Sequence, residues 1–267
     1  MSPSDHWAKL ERFKIKNFPP QLYYIPDFIT EAEEEQLSKH IYASPVPKWV
    51  VLSGRRLQNW GGIPHPKGML VEPIPQWLLF LMDRVSDLHI FGGHRANHAL
   101  INEYTPGQGI SPHHDGPLYY PVVATINLGS HGVLDFYKPL PSCDMECHEK
   151  WNSTSYDARY IGSALLHPRS MNVVTGELYT HYMHGISCSF LDKICAEGEN
   201  YSLDQPTHLF HPVNCTVEDS GHVFLLHAGQ EMSRGTRISI TIRYVPKIAN
   251  LDISRILNKN RLTLACS

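Results

Sequence analysis

His113 and Asp115 are the residues of this 267-residue chain whose types and spacing most directly indicate metal chemistry. They flank His114 and follow a turn-forming segment rich in Gly and Pro at 105–109. In an extended segment, side chains at i and i+2 project to the same side, so His113 and Asp115 face one way and His114 faces the other. Together with one distant histidine they form the two-histidine, one-carboxylate set that holds iron(II) and leaves three coordination positions open.

A second chemical signal is the strict alternation of apolar and polar side chains over residues 237–244. One face of this predicted strand carries Ile238, Ile240, Ile242 and Tyr244, and the other carries Arg237, Ser239, Thr241 and Arg243. Two interpretations are open. The polar face lies in solvent, or it lines a pocket in which the guanidinium groups bind a carboxylate through paired hydrogen bonds.

Asn102 and Tyr104 add hydrogen-bonding groups on a strand that precedes the metal motif. Because they are two residues apart, they face the same side and can both reach a bound acid. The resulting order along the chain is N-x-Y, then H-x-D, then a distant histidine, then R-x5-R. This order is far more specific than H-x-D alone, which recurs by chance.

That order resembles the AlkB family of iron(II)- and 2-oxoglutarate-dependent dioxygenases. Further resemblance lies in the stretches SGRRLQNWGG at 53–62, DGPLYYP at 115–121 and LDFY at 134–137. The similarity covers about residues 20–138, 160–186 and 234–246. It implies a double-stranded β-helix core, with an N-terminal extension over the mouth of the site in which residues 53–68 form much of a substrate lid.

The resemblance also implies residue roles. The iron(II) ligands and catalytic residues would be His113, Asp115 and His184. The residues contacting 2-oxoglutarate would be Asn102, Tyr104, Arg237, Ser239 and Arg243. Arg237 is assigned to the distal carboxylate of 2-oxoglutarate.

Three histidines are candidates for the third iron ligand, the one distant in sequence from the H-x-D motif. His184 matches the family position, but 53 residues separate it from Arg237, which is long for the family. His227 lies ten residues before Arg237, a spacing similar to that of other 2-oxoglutarate oxygenases. His181 is a third candidate, although it and His184 would point to opposite sides of a strand. We favour His184.

The implied activity couples 2-oxoglutarate and O₂ to the oxidation of an N-alkyl group, with release of succinate, CO₂ and formaldehyde. The candidate substrate contacts are Arg55, Arg56, Trp60, Tyr119 and Tyr120. The three aromatic residues suit stacking on an extruded base, but core or interface packing is an equal alternative for them. Three functions are compatible with the sequence: demethylation of single-stranded RNA or DNA, hydroxylation or demethylation of a protein, and a weakly active nucleic-acid-binding module.

Composition narrows the class of partner. The net charge of −3 and the pI of about 6.6 lack the basic excess of proteins that bind nucleic acid non-specifically, so a local patch including Arg55, Arg56 and Lys67 would be needed. No apolar run predicts a membrane span or secretory signal. The six cysteines indicate free thiols, and a zinc site at Cys143, Cys147 and His148 is disfavoured. We expect a monomer in the cytoplasm and nucleus.

The elements that must position these residues follow from periodicity. One helix should begin after Thr30 through a capping box with Glu33 and stop before Pro45; another should run from Pro75, at its first helical position, through Leu88. Predicted strands span 98–104, 121–128, 132–137, 161–166, 170–175 and 236–245. Loops are expected at 138–159 and 187–222.

The predicted fold is mainly β with flanking helices (α+β), around a jelly-roll or cupin-like core. We interpret residues 1–267 as one domain. Its expected parts are helices and lid at 1–96, the β-helix core at 97–246 and a tail at 247–267.

Overall fold

The computed structural model describes residues 7, 10–16, 18, 21–139, 156–196, 201, 207–214 and 227–249. Within these residues the strands are β1 (Leu22–Ile25), β2 (Trp49–Leu52), β3 (Arg55–Trp60), β4 (His98–Tyr104), β5 (Ile110–His113), β6 (Val122–Gly129), β7 (Gly132–Tyr137), β8 (Tyr160–Leu166), β9 (Met171–Thr175), β10 (Met183–Ile186), β11 (Leu191–Ile194), β12 (Thr207–Phe210), β13 (Glu231–Ser233) and β14 (Arg237–Arg243). The α-helices are α1 (Glu31–Tyr42), α2 (Gln76–Ser86), α3 (Tyr156–Arg159) and α4 (Gly176–Thr180). Short 3-10 helices span Glu11–Phe13 and Val46–Lys48.

Two antiparallel sheets form the body of the fold. The larger has the strand order β1-β9-β6-β14-β4-β3-β2, and the smaller has the order β5-β10-β7-β8. Apolar side chains from both sheets share one buried cluster, so the sheets pack face to face. This arrangement is the predicted double-stranded β-helix. A third sheet, ordered β12-β11-β13, lies beyond the smaller one and contains a parallel pair, β11 with β12.

The two faces of β14 explain how the larger sheet serves both core and site. Its isoleucines are 3% exposed or less and pack in the main apolar cluster with the buried faces of α1 and α2. Its polar residues are also buried, with Arg237 only 4% and Arg243 only 7% exposed. The interpretation that the polar face lies in solvent is therefore wrong.

Helix α1 begins as the sequence predicts. The Thr30 side chain accepts a hydrogen bond from the Glu33 backbone at 3.2 Å, and Glu33 in turn accepts from the Thr30 backbone at 2.7 Å. This reciprocal pair satisfies two backbone donors that a helix start otherwise leaves without partners. Leu37 and Ile41 are the buried residues of the helix.

Helix α2 differs from its prediction at both ends. Pro75 has an extended conformation and is the N-cap rather than the first helical residue, and the helix ends at Ser86 rather than Leu88. The Ser86 hydroxyl donates to the Met82 carbonyl at 2.7 Å and accepts from the Ala96 backbone at 3.0 Å. The chain therefore turns at this point, which apolar periodicity alone does not show.

The other predicted strands are confirmed to within about two residues at each end, and several elements were not predicted. Strands β11 and β12 lie inside the segment 187–222, for which a loop was expected. Strands β1, β2 and β3 lie in the segment 1–96, for which helices and a lid were expected. Cys143, Cys147 and His148 lie outside the described residues. No helix in the described part of the chain has the length and apolarity needed to cross a membrane.

A buried cluster of charges joins the third sheet to the core. His208 lies between Asp192, at 2.9 Å, and Asp135 on β7, at 3.3 Å, and all three are fully buried. Arg234 donates to both oxygens of Asp192. Burial alone would lower the pKa of His208, but the two carboxylates outweigh it and raise the pKa to about 9. His208 is therefore protonated at neutral pH.

Candidate metal centre and adjoining cavity

His113, Asp115 and His184 come together at one point of the smaller sheet. One potential ligand atom from each lies within 4.8 Å of the other two, and no other such group of His, Cys, Asp or Glu occurs in the part of the chain that is described. Strand pairing explains the approach, since β5 and β10 are antiparallel and place His184 directly opposite His113. Their ring centroids are 4.6 Å apart.

The hydrogen bond of His113 determines which ring nitrogen faces the cluster. Its Nδ1 lies 2.9 Å from the Ser111 carbonyl, which can only accept, so Nδ1 carries the proton. Nε2 then keeps its lone pair and is free to bind a cation, the arrangement common for metal-bound histidines. The neighbouring His114 is exposed, and its Nε2 lies 3.1 Å from the His181 carbonyl, outside the cluster.

Asp115 is held as a carboxylate. Its side chain is 5% exposed, and its Oδ1 accepts from Arg243 Nη2 at 2.6 Å. Burial opposes ionisation, but Arg243 and then the two histidines lower the pKa of Asp115 below its ordinary value. Its Oδ2 is buried and has no hydrogen-bond partner among the described residues. A buried carboxylate oxygen without such a partner fits the binding of a cation.

Of the three histidines considered for the distal position, His184 is the one that lies beside His113 and Asp115. Loss of water around its ring lowers the pKa of His184 to about 4, so the imidazole is neutral and able to bind metal. The competitors lie elsewhere. His227 and His181 are both exposed, and the His181 ring is 2.7 Å from the Thr180 hydroxyl.

A cavity of about 410 Å³ opens beside this cluster. The side chains around it include the three clustered residues and, among others, Arg55, Pro64, Asn102, Tyr104, Leu118, Tyr119, Arg237, Ser239, Thr241 and Arg243. The polar ones come from adjacent strands in register, since Arg237 lies opposite Tyr104 and Ser239 lies opposite Asn102. The sheet therefore brings the predicted 2-oxoglutarate residues to one wall.

Arg237 is the most unusual side chain of this wall. Its Nη2 donates to Asn127 Oδ1 at 2.6 Å, whereas Nε and Nη1 are buried with no partner among the described residues. Burial lowers the pKa of Arg237 to about 10, which still leaves it charged at neutral pH. A buried guanidinium with two unused donors is costly unless an anion binds there. The geometry thus fits a carboxylate at this position.

Gly132 makes the position of Arg237 possible. A Cβ added to Gly132 would lie 2.5 Å from Arg237 Cδ and 2.7 Å from its Nε. Any larger residue would push the guanidinium from its place. Neither Gly132 nor Asn127 was singled out from the sequence. The only sequence signal for Asn127 is an amide within the otherwise apolar end of β6.

The predicted substrate contacts divide into two groups. Arg55 and Tyr119 line the cavity. Arg56, Trp60 and Tyr120 are not part of its lining: Arg56 forms a bidentate pair with Glu103 at 2.7 and 2.8 Å, and the other two pack against the main apolar cluster. Trp60 and Tyr120 are therefore positioned as expected for core packing, the alternative to substrate stacking.

Four buried polar side-chain atoms of this site lack a hydrogen-bond partner among the described residues, and they belong to Asp115, Arg237 and Arg243. One is an anionic acceptor and three are cationic donors. This set fits a metal cation on one side and an acidic small molecule on the other.

Comparison with known proteins agrees with this geometry. The profile of the 2OG-Fe(II) oxygenase superfamily matches residues 48–243, which include the whole cluster and both arginines. The chain belongs to this superfamily. It is therefore an oxygenase, and Fe(II) and 2-oxoglutarate are the cofactor and co-substrate that the superfamily uses.

A relative that is 44% identical over most of both chains places this oxygenase in the AlkB family. The "Probable RNA/DNA demethylase ALKBH6" of Danio rerio is 44% identical over 248 residues, which cover 92% of this chain and 95% of the relative. The "Alkylated DNA repair protein ALKBH8 homolog" of Arabidopsis thaliana is 28% identical over 194 residues, 66% of this chain and 53% of the relative. The solved structure of OsALKBH1 covers 85% of this chain and 100% of its own, with 12% identity and a TM-score of 0.47.

Proposed function

We propose that His113, Asp115 and His184 hold Fe(II) and that the adjoining cavity binds 2-oxoglutarate. The observation that carries this proposal is the buried, unpartnered Oδ2 of Asp115 beside two histidines that face it. The same residues match the two-histidine, one-carboxylate set expected of the family. Exposed His227 offers no comparable environment.

Arg237 would bind the distal carboxylate of 2-oxoglutarate. Its two unpartnered donors form the fork that matches a carboxylate, and its Cζ lies 5.6 Å from the centre of the Tyr104 ring. Asn102, Tyr104 and Ser239 would donate further hydrogen bonds along the same wall. Arg243 is already engaged by Asp115, so it would act nearer the metal.

The iron, when bound, would supply O₂ activation and couple the oxidation of 2-oxoglutarate to succinate and CO₂ with oxidation of a C–H bond. The chain's own contribution is orientation. Arg237 and Arg243 offset the negative charges of the co-substrate, and the apolar wall formed by residues such as Leu134, Leu166 and Val174 excludes water from the reaction.

The substrate that we propose is an N-alkylated base in single-stranded nucleic acid. The ALKBH6 relative from Danio rerio carries the name of an RNA/DNA demethylase. The lining of the cavity includes a partly buried tyrosine, Tyr119, and the apolar residues Pro64 and Leu118, which suit a planar base. Directly after Pro64, His65 and Lys67 are exposed and close enough in sequence to follow the backbone phosphates. A base in a duplex would first have to be extruded.

The overall reaction is balanced without any further reductant. An N-methyl group, 2-oxoglutarate and O₂ give an N-hydroxymethyl group, succinate and CO₂, and loss of formaldehyde restores the unmodified amine. Two electrons come from the oxidative loss of CO₂ and two from the C–H bond, and together they reduce O₂.

The test is turnover by the full chain with Fe(II), 2-oxoglutarate and single-stranded oligonucleotides that carry defined N-methyl bases. We expect equal amounts of succinate, formaldehyde and demethylated base by mass spectrometry, and loss of all three in His113→Ala and Asp115→Ala. His227→Ala is the matched control and should keep turnover. Succinate formed only with methylated peptides would contradict the nucleic-acid assignment, and no succinate under any condition would contradict the enzyme assignment.

A further inference from the structure

The residue that this inference concerns is Arg55, the first residue of β3. Its Nε donates to Asn102 Oδ1 at 3.0 Å across neighbouring strands. Arg55 is partly buried and lies on the lining of the cavity. A direct contact therefore joins the β2–β3 hairpin to one of the residues that we assign to 2-oxoglutarate.

The contact determines which end of the Asn102 amide faces the cavity. An asparagine amide has one accepting oxygen and one donating nitrogen, whereas a guanidinium has donors only. Arg55 must therefore engage the oxygen, which leaves the NH₂ group as the part of Asn102 that is available to a ligand. Asn102 is only 6% exposed and belongs to the lining of the cavity. A carboxylate needs such a donor, and a flipped amide would present it with an oxygen instead.

The hairpin is held where this contact can form. On the opposite face of β3, Arg56 pairs with both oxygens of Glu103. At the hairpin tip, Gly54 approaches the backbone of Gly109 so closely that an added Cβ would lie 2.6 Å from the Gly109 oxygen. These two contacts fix the start of β3, so Arg55 meets Asn102 in one arrangement.

We propose that Arg55 is a positioning residue for 2-oxoglutarate, which acts by holding the amide NH₂ of Asn102 toward the bound carboxylate. The inference rests on the proposed function of this cavity. Through Arg55, the β2–β3 hairpin would take part in binding the co-substrate, in addition to the expected role of residues 53–68 as a substrate lid. Arg55 need not touch 2-oxoglutarate for this effect.

A double-mutant cycle distinguishes an Arg55 that orients Asn102 from an Arg55 that contacts 2-oxoglutarate directly. The full chain is loaded with Mn(II) as a redox-inert substitute for Fe(II), and the Kd of 2-oxoglutarate is measured by calorimetry for the wild type, Arg55→Met, Asn102→Ala and the double variant. We expect Arg55→Met alone to raise Kd about tenfold, equivalent to about 1.4 kcal/mol. In the Asn102→Ala background, Arg55→Met should raise Kd less than about twofold, because Arg55 acts on 2-oxoglutarate only by orienting Asn102.

Arg55→Lys and Lys39→Met are the matched variants. Arg55→Lys keeps a donor for Asn102 and should recover most of the affinity. Lys39→Met also removes one positive charge, but from an exposed residue of α1 that pairs with Glu35, so it should leave Kd near the wild-type value. Mn(II) affinity should be unchanged in all the arginine variants.

Three results would overturn the inference: an unchanged Kd in Arg55→Met, an equal loss in the presence and absence of Asn102, or an equal loss in Lys39→Met. Failure of the wild-type protein to bind 2-oxoglutarate at all would instead overturn the proposed function, and the inference with it.

Discussion

Arg243 and Asp115 form an ion pair in which Nη2 and Oδ1 are 2.6 Å apart, and the second oxygen of Asp115 is buried with no hydrogen-bond partner among the described residues. The pair links the two halves of the site, because Asp115 belongs to the metal cluster and Arg243 to the cavity wall. Arg237, six residues earlier on the same strand, contacts no carboxylate among the described residues. The two arginines therefore differ in what they support.

This difference predicts separate effects for Arg243→Met and Arg237→Met. Removing Arg243 leaves the carboxylate of Asp115 without its orienting partner, so the affinity for Mn(II) should fall about 10- to 100-fold, as for other residues that orient metal ligands. Arg237→Met should keep the metal affinity and raise the Kd of 2-oxoglutarate. Calorimetry with each ligand measures both. Equal loss of metal in the two variants would contradict the assignment.

Gly132→Ala should weaken 2-oxoglutarate binding without changing the affinity for the metal. The new methyl group would lie 2.5 Å from Arg237 Cδ, so the guanidinium must move out of the position that we assign to the distal carboxylate. We expect KM for 2-oxoglutarate to rise about tenfold or more, with Fe(II) affinity unchanged. Gly235→Ala is the control, since its added Cβ would meet only the Ser130 side chain, at 3.3 Å. An unchanged KM in Gly132→Ala would show that Arg237 is not the carboxylate anchor.

The protonation of His208 leads us to expect that the folded state loses stability in mild alkali. Its pKa of about 9 lies above its ordinary value because two buried carboxylates favour its protonated form. Its contribution to folding is therefore complete below about pH 6.5 and disappears as the pH rises through about 9. The melting temperature should fall by several degrees over this range in the wild type. The fall should be smaller in His208→Gln, whose side chain does not titrate; equal pH profiles for the two proteins would argue against a protonated His208.

Lys67→Ala should weaken binding of single-stranded oligonucleotides and reduce its salt dependence. Lys67 is exposed three residues after Pro64 on the cavity lining, so we expect it to contact a phosphate. Removal of one such contact should lower the slope of log K against log salt by about 0.7 for a single strand. Lys39→Ala is the control, because Lys39 is an exposed lysine on α1 that pairs with Glu35. Fluorescence anisotropy over a salt series measures both slopes, and a Lys67 slope equal to the wild-type value would contradict the contact.

Sequence reasoning predicted that His113 and Asp115 share a face, and that Arg237 and Arg243 share another, because both predictions depend on short-range periodicity. His113 and Asp115 are two residues apart, and the alternation along 237–244 fixes which side chains share a face. Only the structure shows that this polar face lines a pocket, because a strand with its polar face in solvent has the same sequence pattern. His184 was favoured over His227 only through the family resemblance, and the strand pairing that brings His184 opposite His113 has no local signal in the sequence.

The parts that could not be predicted depend on contacts distant in sequence. Trp60 was a candidate for stacking on the substrate, with core packing as an equal alternative. The structure shows that it packs against the core, with an edge-to-face contact to Trp77 at a ring-centroid distance of 6.4 Å. The parallel pairing of β11 with β12 joins segments on either side of a long connection and has no periodic signature. The room that Gly132 leaves for Arg237 is visible only when β7 and β14 are placed together.

The most direct test of the account is the anomalous scattering of Mn(II) in crystals of the full chain grown with 2-oxoglutarate. We predict one strong anomalous peak within bonding distance of His113, Asp115 and His184, with density for 2-oxoglutarate extending from it to the Arg237 guanidinium. A peak ligated by His227 in place of His184, or 2-oxoglutarate bound away from Arg237, would contradict it.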